Sequence, residues 1–184
     1  RCAMYSSLTI AVSGKSGCGN TTVSRLLAER LGLKTINYTF HDMARERGIS
    51  FEELCRLAEN DNQYDLYLDR HQVELASSGG CVLASRLAIW LLEKADLKVY
   101  LTASQEERAR RIALREGLDP HEAERSVEAR DLRDRNRYRR LYQIDIDDYR
   151  FAHLVVDTER GDPAWVVETI LAVLDSRPPR PSGA

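Results

Sequence analysis

The sequence predicts an α/β fold in which helices cover both faces of a parallel sheet. Three observations carry that expectation. Short, mainly apolar runs recur at Leu8–Val12, Cys81–Ala84, Leu97–Leu101 and Leu154–Val156. The spacers between them are mostly helical in period. A glycine-rich turn joins the first run to the first helix-period segment. Mainly apolar runs, rather than alternating ones, belong to strands buried on both sides, as in parallel sheets.

Taken in order, Leu8–Val12 is the first strand. Val23, Leu26, Leu27 and Leu31 then form one apolar stripe, and Gly32 supplies a helix stop. Leu33–Tyr38 is a weaker fifth strand candidate. Ser50 followed by Glu53 makes a capping box ahead of Leu54 and Leu57. Cys81–Ala84, Leu97–Leu101 and Leu154–Val156 follow as strands, and Asp162-Pro163 opens a last helix through Val166, Ile170, Val173 and Leu174. Two segments leave the alternation: Thr39–Ser78, helical and polar, and Leu118–Asp148, helical, charged and rich in arginine. Both are too polar to pack wholly on a sheet. Mobile lobes over a ligand site are the expectation for such insertions.

A chain of 184 residues fits one domain, expected to span residues 4–176 with no internal repeat or linker. Its net charge of −2 argues against a general nucleic-acid or membrane binder. The apolar stretch Leu87–Leu92 is far too short to span a bilayer, and no signal-peptide pattern opens the chain. The four cysteines, Cys2, Cys18, Cys55 and Cys81, lack C-x-x-C spacing, so reduced thiols in a cytoplasmic protein are expected. Arg1–Ala3 precede Met4 and are expected to be foreign to the native chain, and the proline-rich tail, residues 177–184, to be disordered.

The turn between the first strand and first helix reads Gly14-Lys15-Ser16-Gly17-Cys18-Gly19-Asn20-Thr21-Thr22. Glycines let a backbone turn tightly and aim its N–H groups at an anion, and a helix N-terminus adds positive dipole. Against the phosphate-loop pattern G-x-x-x-x-G-K-[ST], Gly14, Gly19 and Thr21 match, and Asn20 stands where the lysine belongs. The stretch therefore predicts a nucleotide-phosphate loop with one charge missing. Cys18 within it is either a thiol sensitive to oxidation or a small filler.

Arg108, Arg111 and Arg115 share one helix face, and Arg130, Arg133 and Arg137 repeat that spacing. Phosphoryl transfer needs charge stabilisation more than covalent chemistry, and a guanidinium fork grips phosphate oxygens two at a time. The interleaved carboxylates, Asp131 and Asp134 among them, allow solvated or paired arginines instead and would blunt an RNA-binding field. Arg86 follows Cys81–Ala84 closely, at the carboxyl strand edge where open α/β sheets bind ligands.

The loop with Thr21-Thr22, Arg86-Leu87-Ala88, Asp69-Arg70-His71-Gln72, Ala95–Val99, Arg108-x-x-Arg111-Ile112 and Arg137-Tyr138…Tyr142-Gln-Ile-Asp145 together resemble the archaeal-type cytidylate kinases, from about Leu8 to Val173. The resemblance implies a three-layer P-loop NTPase fold with a five-stranded parallel sheet, a helical monophosphate-binding insertion at residues 39–78 and an arginine-rich lid at 118–148. It implies transfer of the ATP γ-phosphoryl group to CMP or dCMP with Mg²⁺, by a protein expected to act as a monomer. Gly14, Lys15, Ser16, Gly17, Cys18, Gly19, Asn20, Thr21 and Thr22 would cradle ATP, with the Thr21 hydroxyl on Mg²⁺. Arg111 would lie by the adenine, and Arg115 by the phosphates. Arg130 and Arg137 would reach the transferring group, and Lys15 would add charge from the other side of the loop. Arg86, His41, Asp69 and Arg70 would serve the monophosphate. The sequence departs from the family in three places. Asn20 stands where many phosphate loops carry lysine and this family often threonine, a mild departure; His41 stands where Phe-Arg-x-x-Ala has arginine, and Ala84-Ser85 lack the acidic residue before Arg86. Asp42, Asp65 or Asp69 would then have to help Thr21 and water around Mg²⁺. A kinase of the same fold with another acceptor, and a nucleotide-binding regulatory protein, are the competing readings.

Overall fold

A computed structural model describes residues 5–177. Residues 1–4 and 178–184, which include the expected foreign start and most of the proline-rich tail, lie outside the described residues. Five strands, β1 (Thr9–Gly14), β2 (Lys34–Ile36), β3 (Cys81–Ala84), β4 (Leu97–Thr102) and β5 (Leu154–Asp157), form one sheet in the order β2-β3-β1-β4-β5. Every pairing is parallel. The weak candidate Leu33–Tyr38 is a true strand, but its ladder is only three residues long.

The apolar runs hide two faces. Ile10, Val12, Leu97, Val99 and Leu101 point to one side, where Leu27 of α1 (Asn20–Leu31) and Ile170 of α8 (Pro163–Ser176) cover them. Ala11, Leu83 and Tyr100 point to the other, under Ile89 of the short α5 (Ala88–Leu91). This two-residue alternation with both faces apolar is what leaves few polar positions in the central strands.

The polar segments make helices with their own small cores. In residues 39–78, α2 (Phe40–Arg47), α3 (Phe51–Asn60) and α4 (Gln63–Ala76) gather Met43, Ala44 and Leu54 under Tyr38. In the second segment, α6 (Gln105–Glu116) packs on the long α7 (Pro120–Tyr142) through Ala109, Ile112, Ala123 and Val127. The expectation that neither segment rests wholly on the sheet is met. The capping box read at Ser50 is half formed: Ser50 accepts from the Glu53 N–H at 3.1 Å, with no return bond from Glu53. Complete boxes sit instead at Thr39/Asp42 and Asp119/Glu122, which start α2 and α7.

Candidate active site

Gly14–Thr22 joins the end of β1 to α1 at the centre of the sheet, where β1 lies between β3 and β4. The glycines are required by geometry. Gly17 and Gly19 hold φ of 87° and 94°, and a Cβ on Gly14 would fall 2.6 Å from the Leu101 carbonyl oxygen. Asn20 does not replace the missing lysine charge. Its Nδ2 donates to the Gly14 carbonyl at 2.7 Å and ties the first turn of the helix back to the start of the loop.

Positive charge arrives from three other elements. Lys15, Ser16, Gly17, Gly19, Asn20, Thr21, Thr22, Arg86, Arg115 and Arg130 line one polar cleft of about 180 Å³. Arg86 is set there by two bonds from its turn to β1: the Ser85 N–H donates to the Val12 carbonyl at 3.2 Å and the Ile89 N–H to the Ser13 hydroxyl at 3.1 Å. Arg130 reaches across from α7, giving Nη1 to the Ser16 hydroxyl at 3.1 Å and Nη2 to Glu116 at 2.8 Å. Arg115 also holds Glu116, at 2.9 Å. Lys15 makes a 2.7 Å ion pair with Asp147, whose carboxyl that contact pulls below its ordinary range.

A second cleft of about 490 Å³ opens on the far side of the loop, between Cys18, Thr22, Arg111, Thr158 and Pro163. Arg111 is fixed there by 2.8 Å bonds to Glu107 and Thr158 and a 3.2 Å bond to the Gly17 carbonyl. Bonds from Arg110 and Arg111, the first the larger cause, pull the Glu107 carboxyl down to about 2.

The remaining expected residues are placed apart from the phosphate cleft. Arg137 turns from it: its Nη1 pairs with Asp65 of α4 at 3.0 Å and its guanidinium lies over the Tyr138 ring. The Asp65 carboxyl is nevertheless pushed up, because burial outweighs that partner. Arg137 thus faces the helical insertion rather than the loop. Asp69 is buried one turn along α4 and accepts from the Tyr142 hydroxyl at 2.6 Å. Arg70 beside it is exposed. His41 is exposed and stacks on Phe51 at 3.8 Å between centroids, lining neither cleft. As for the carboxylates expected around Mg²⁺, Asp42 caps α2 and pairs with Arg45, Asp65 holds Arg137 and Asp69 holds Tyr142. None of the three lines the cleft, whereas the exposed Thr21 hydroxyl does.

Sequence reasoning missed the carboxylates that hold each cation. Asp134 is buried and binds Arg86 Nε at 2.9 Å, and Asp131 holds Arg108 with two bonds. Both lie on α7 among its arginines at three- and four-residue spacing, a pattern that reads as solvated or paired charges within the helix and names no partner on another element.

Burial pushes the Asp69 carboxyl from its ordinary 3.8 up to about 6. The native state then binds a proton that the unfolded chain releases, so the stability from this group is complete below pH 3.8 and lost as pH rises through about 6. Asp69→Asn keeps an acceptor for Tyr142 and is expected to raise thermal stability at pH 7.5, by at most about 3 kcal/mol. Below about pH 4 the gain should vanish. Melting curves across pH check this, and a variant no more stable at pH 7.5 contradicts it. Cys18 is 2% exposed, packs in the main core, and has its thiol pushed up by burial. A mild thiol reagent on the native protein should therefore label Cys55, which is partly exposed, and spare Cys18. Peptide mapping that finds Cys18 labelled first would refute this.

A glycine-rich phosphate loop at the centre of a five-stranded parallel sheet defines a P-loop kinase-like α/β fold. Solved structures share it. A shikimate kinase from Acinetobacter baumannii superposes with a TM-score of 0.64 at 22% identity, covering 96% of this chain and 98% of that one. A deoxyadenosine kinase from M. mycoides does so with 0.58 at 19%, covering 92% and 100%. The chain belongs to the cytidylate kinase-like family, whose sequence model matches residues 9–160. It is 48% identical over 174 residues to cytidylate kinase 2 of Borreliella burgdorferi, covering 92% of this chain and 97% of that protein. To the cytidylate kinase of Pyrococcus horikoshii it is 40% identical over 174 residues, covering 94% and 91%.

Proposed function

We propose that this protein is a nucleoside monophosphate kinase that transfers the ATP γ-phosphoryl group to CMP or dCMP. The observation that carries this reading is the convergence of Arg86, Arg115 and Arg130 on a phosphate loop in one cleft, within a chain of this family. A phosphate oxygen of CMP forms the new bond to the γ-phosphorus while the bond to the β–γ bridging oxygen breaks. ADP leaves with that oxygen and CDP forms. Both phosphates are ionised at neutral pH, so no net proton moves and no general base is required. Stabilising the spread negative charge is the main task, and preorganised guanidinium groups suit it.

ATP lies with its phosphates along Gly14–Thr22 and its base in the larger cleft against Arg111. Arg86 holds the CMP phosphate at the carboxyl end of β3. Its Nε is engaged by Asp134, and its terminal nitrogens donate to no group among the described residues. Arg130 and Arg115 meet the charge of the transferring group. Arg137, Asp65 and Asp69 then belong to the acceptor side, between α4 and α7, where they hold the nucleoside rather than the phosphoryl group. The insertion at residues 39–78 is the monophosphate lobe and residues 118–148 the lid.

The donor set also fits Mg²⁺, since an open Thr21 hydroxyl in the first turn of α1 lines the cleft. Bound there, the ion would be held by the Thr21 hydroxyl and would supply positive charge against the phosphates. The same reading has the protein act as a monomer. The free thiols of Cys18, Cys55 and Cys81 fit a reducing cytoplasm, and among the described residues no helix is long and apolar enough to cross a membrane.

Phosphorus NMR of protein mixed with ATP, Mg²⁺ and CMP tests the transfer itself. New signals from CDP alongside ADP are expected. ADP with inorganic phosphate alone would mean that water, not CMP, is the acceptor.

A further inference from the structure

The phosphate loop is open in front and gripped from behind. Arg108 of α6 is 4% exposed, and its Nη1 and Nη2 hold Asp131 of α7 at 2.9 and 2.7 Å. The same Nη1 donates to the Ser16 carbonyl at 3.3 Å. Its backbone presses on the loop so closely that a Cβ on Gly17 would come within 2.9 Å of the Arg108 Cβ. Arg108 is absent from the lining of the phosphate cleft. One residue before Asp131, Arg130 donates to the Ser16 hydroxyl. Ser16 is thus held at its carbonyl and at its hydroxyl, and both grips lead to α7.

A trans peptide sets the carbonyl of one residue and the N–H of the next in opposite directions. With the Ser16 carbonyl fixed toward Arg108, the Gly17 N–H is aimed away, toward the cleft that Gly17 lines. Among the described residues this N–H meets no acceptor. It is a donor left for an anion, as in other backbone concavities that bind phosphate.

We propose that Arg108 is a positioning residue: locked by Asp131 of α7, it holds the Ser16 carbonyl and thereby presents the Gly17 N–H to the ATP phosphates. The seating of α7 then becomes a condition for a formed phosphate loop, and lid and loop act as one unit. Arg108 touches no substrate itself. The inference rests on the kinase reading above.

Removing Arg108 alone would strand a carboxylate only 16% exposed, so the test pairs Arg108→Met with Asp131→Leu, an apolar replacement of the kind that usually preserves a fold. Thermal midpoint and the dissociation constants for ATP and for CMP are measured on this variant and on the parent. The midpoint is expected to stay within a few degrees. ATP affinity should fall about tenfold, the loss of roughly one good hydrogen bond to a charged group, while CMP affinity is retained. Unchanged ATP affinity overturns the proposal, and so does an equal loss for ATP and CMP, which a merely structural pair would give. Arg108→Lys supplies a second check that keeps the charge against Asp131. It lacks the fork that reaches the Ser16 carbonyl at the same time, so an ATP-selective loss is expected again, and its absence is equally fatal. A parent protein that binds no ATP or fails to phosphorylate CMP would count against the kinase reading instead.

Discussion

Arg130→Ala is expected to lower kcat for CMP phosphorylation by about a hundredfold to a thousandfold, with KM for ATP and CMP little changed. Arg130 extends from α7 into the phosphate cleft and is held over the loop by Ser16 and Glu116. A guanidinium in that place meets the most negative charge only as the phosphoryl group moves between its two oxygens, so its removal falls on the transition state. The fold should survive, because Glu116 keeps its bond to Arg115 and is itself a third exposed. Steady-state kinetics decide the matter. A loss confined to KM would make Arg130 a binding residue and leave the chemistry to Arg115 and Mg²⁺.

Arg86→Ala should instead raise KM for CMP by about a hundredfold, leaving KM for ATP nearly unchanged. The split follows from position. Arg86 stands at the end of β3, tied to β1 through the Ser85 and Ile89 N–H groups, on the side of the loop away from Arg111 and the larger cleft. Its removal also takes a partner from Asp134, which is 6% exposed and keeps, among the described residues, the more distant Arg133 at 3.7 Å. Some loss of stability is therefore expected, and Arg86→Ala with Asp134→Asn separates it from the kinetic effect. If the double variant regains stability and keeps the raised KM, Arg86 holds the acceptor phosphate. Equal rises for CMP and ATP would remove that assignment.

The strands and the loop were legible because their determinants are local. Cys81–Ala84 and Leu97–Leu101 read directly as strands, since burial on both faces leaves Lys98 as the one charged residue between them. The phosphate loop declares itself through glycines at positions where φ is positive or a Cβ would strike the neighbouring strand. The pairing of charges was not legible. Arg137 and Arg130 occupy the same helix two turns apart, yet one is drawn to Asp65 of α4 and the other to Ser16 of the loop. Which partner each meets depends on how α7 lies across the sheet edge, and helical spacing carries no such information. The same holds for Asn20, whose identity suggested a lost charge while its side chain ties the helix back to Gly14.

One consequence joins these observations. Arg86, Arg111, Arg115, Arg130 and Lys15 are each already matched to a carboxylate, through Asp134, Glu107, Glu116 and Asp147. Such pairs hold the guanidinium groups in place before substrate arrives, so less ordering remains to be done on binding. On the proposed reading, the nucleotide phosphates would add oxygens to the forks of Arg86, Arg115 and Arg130, which already line the phosphate cleft.

The most direct measurement is ADP release from ATP and Mg²⁺ with CMP, dCMP, UMP, AMP, GMP and shikimate offered in turn. Turnover led by CMP or dCMP is expected. Turnover led by shikimate or a purine monophosphate, or none at all from a protein that binds ATP, would contradict the assignment of this cleft to cytidylate phosphorylation.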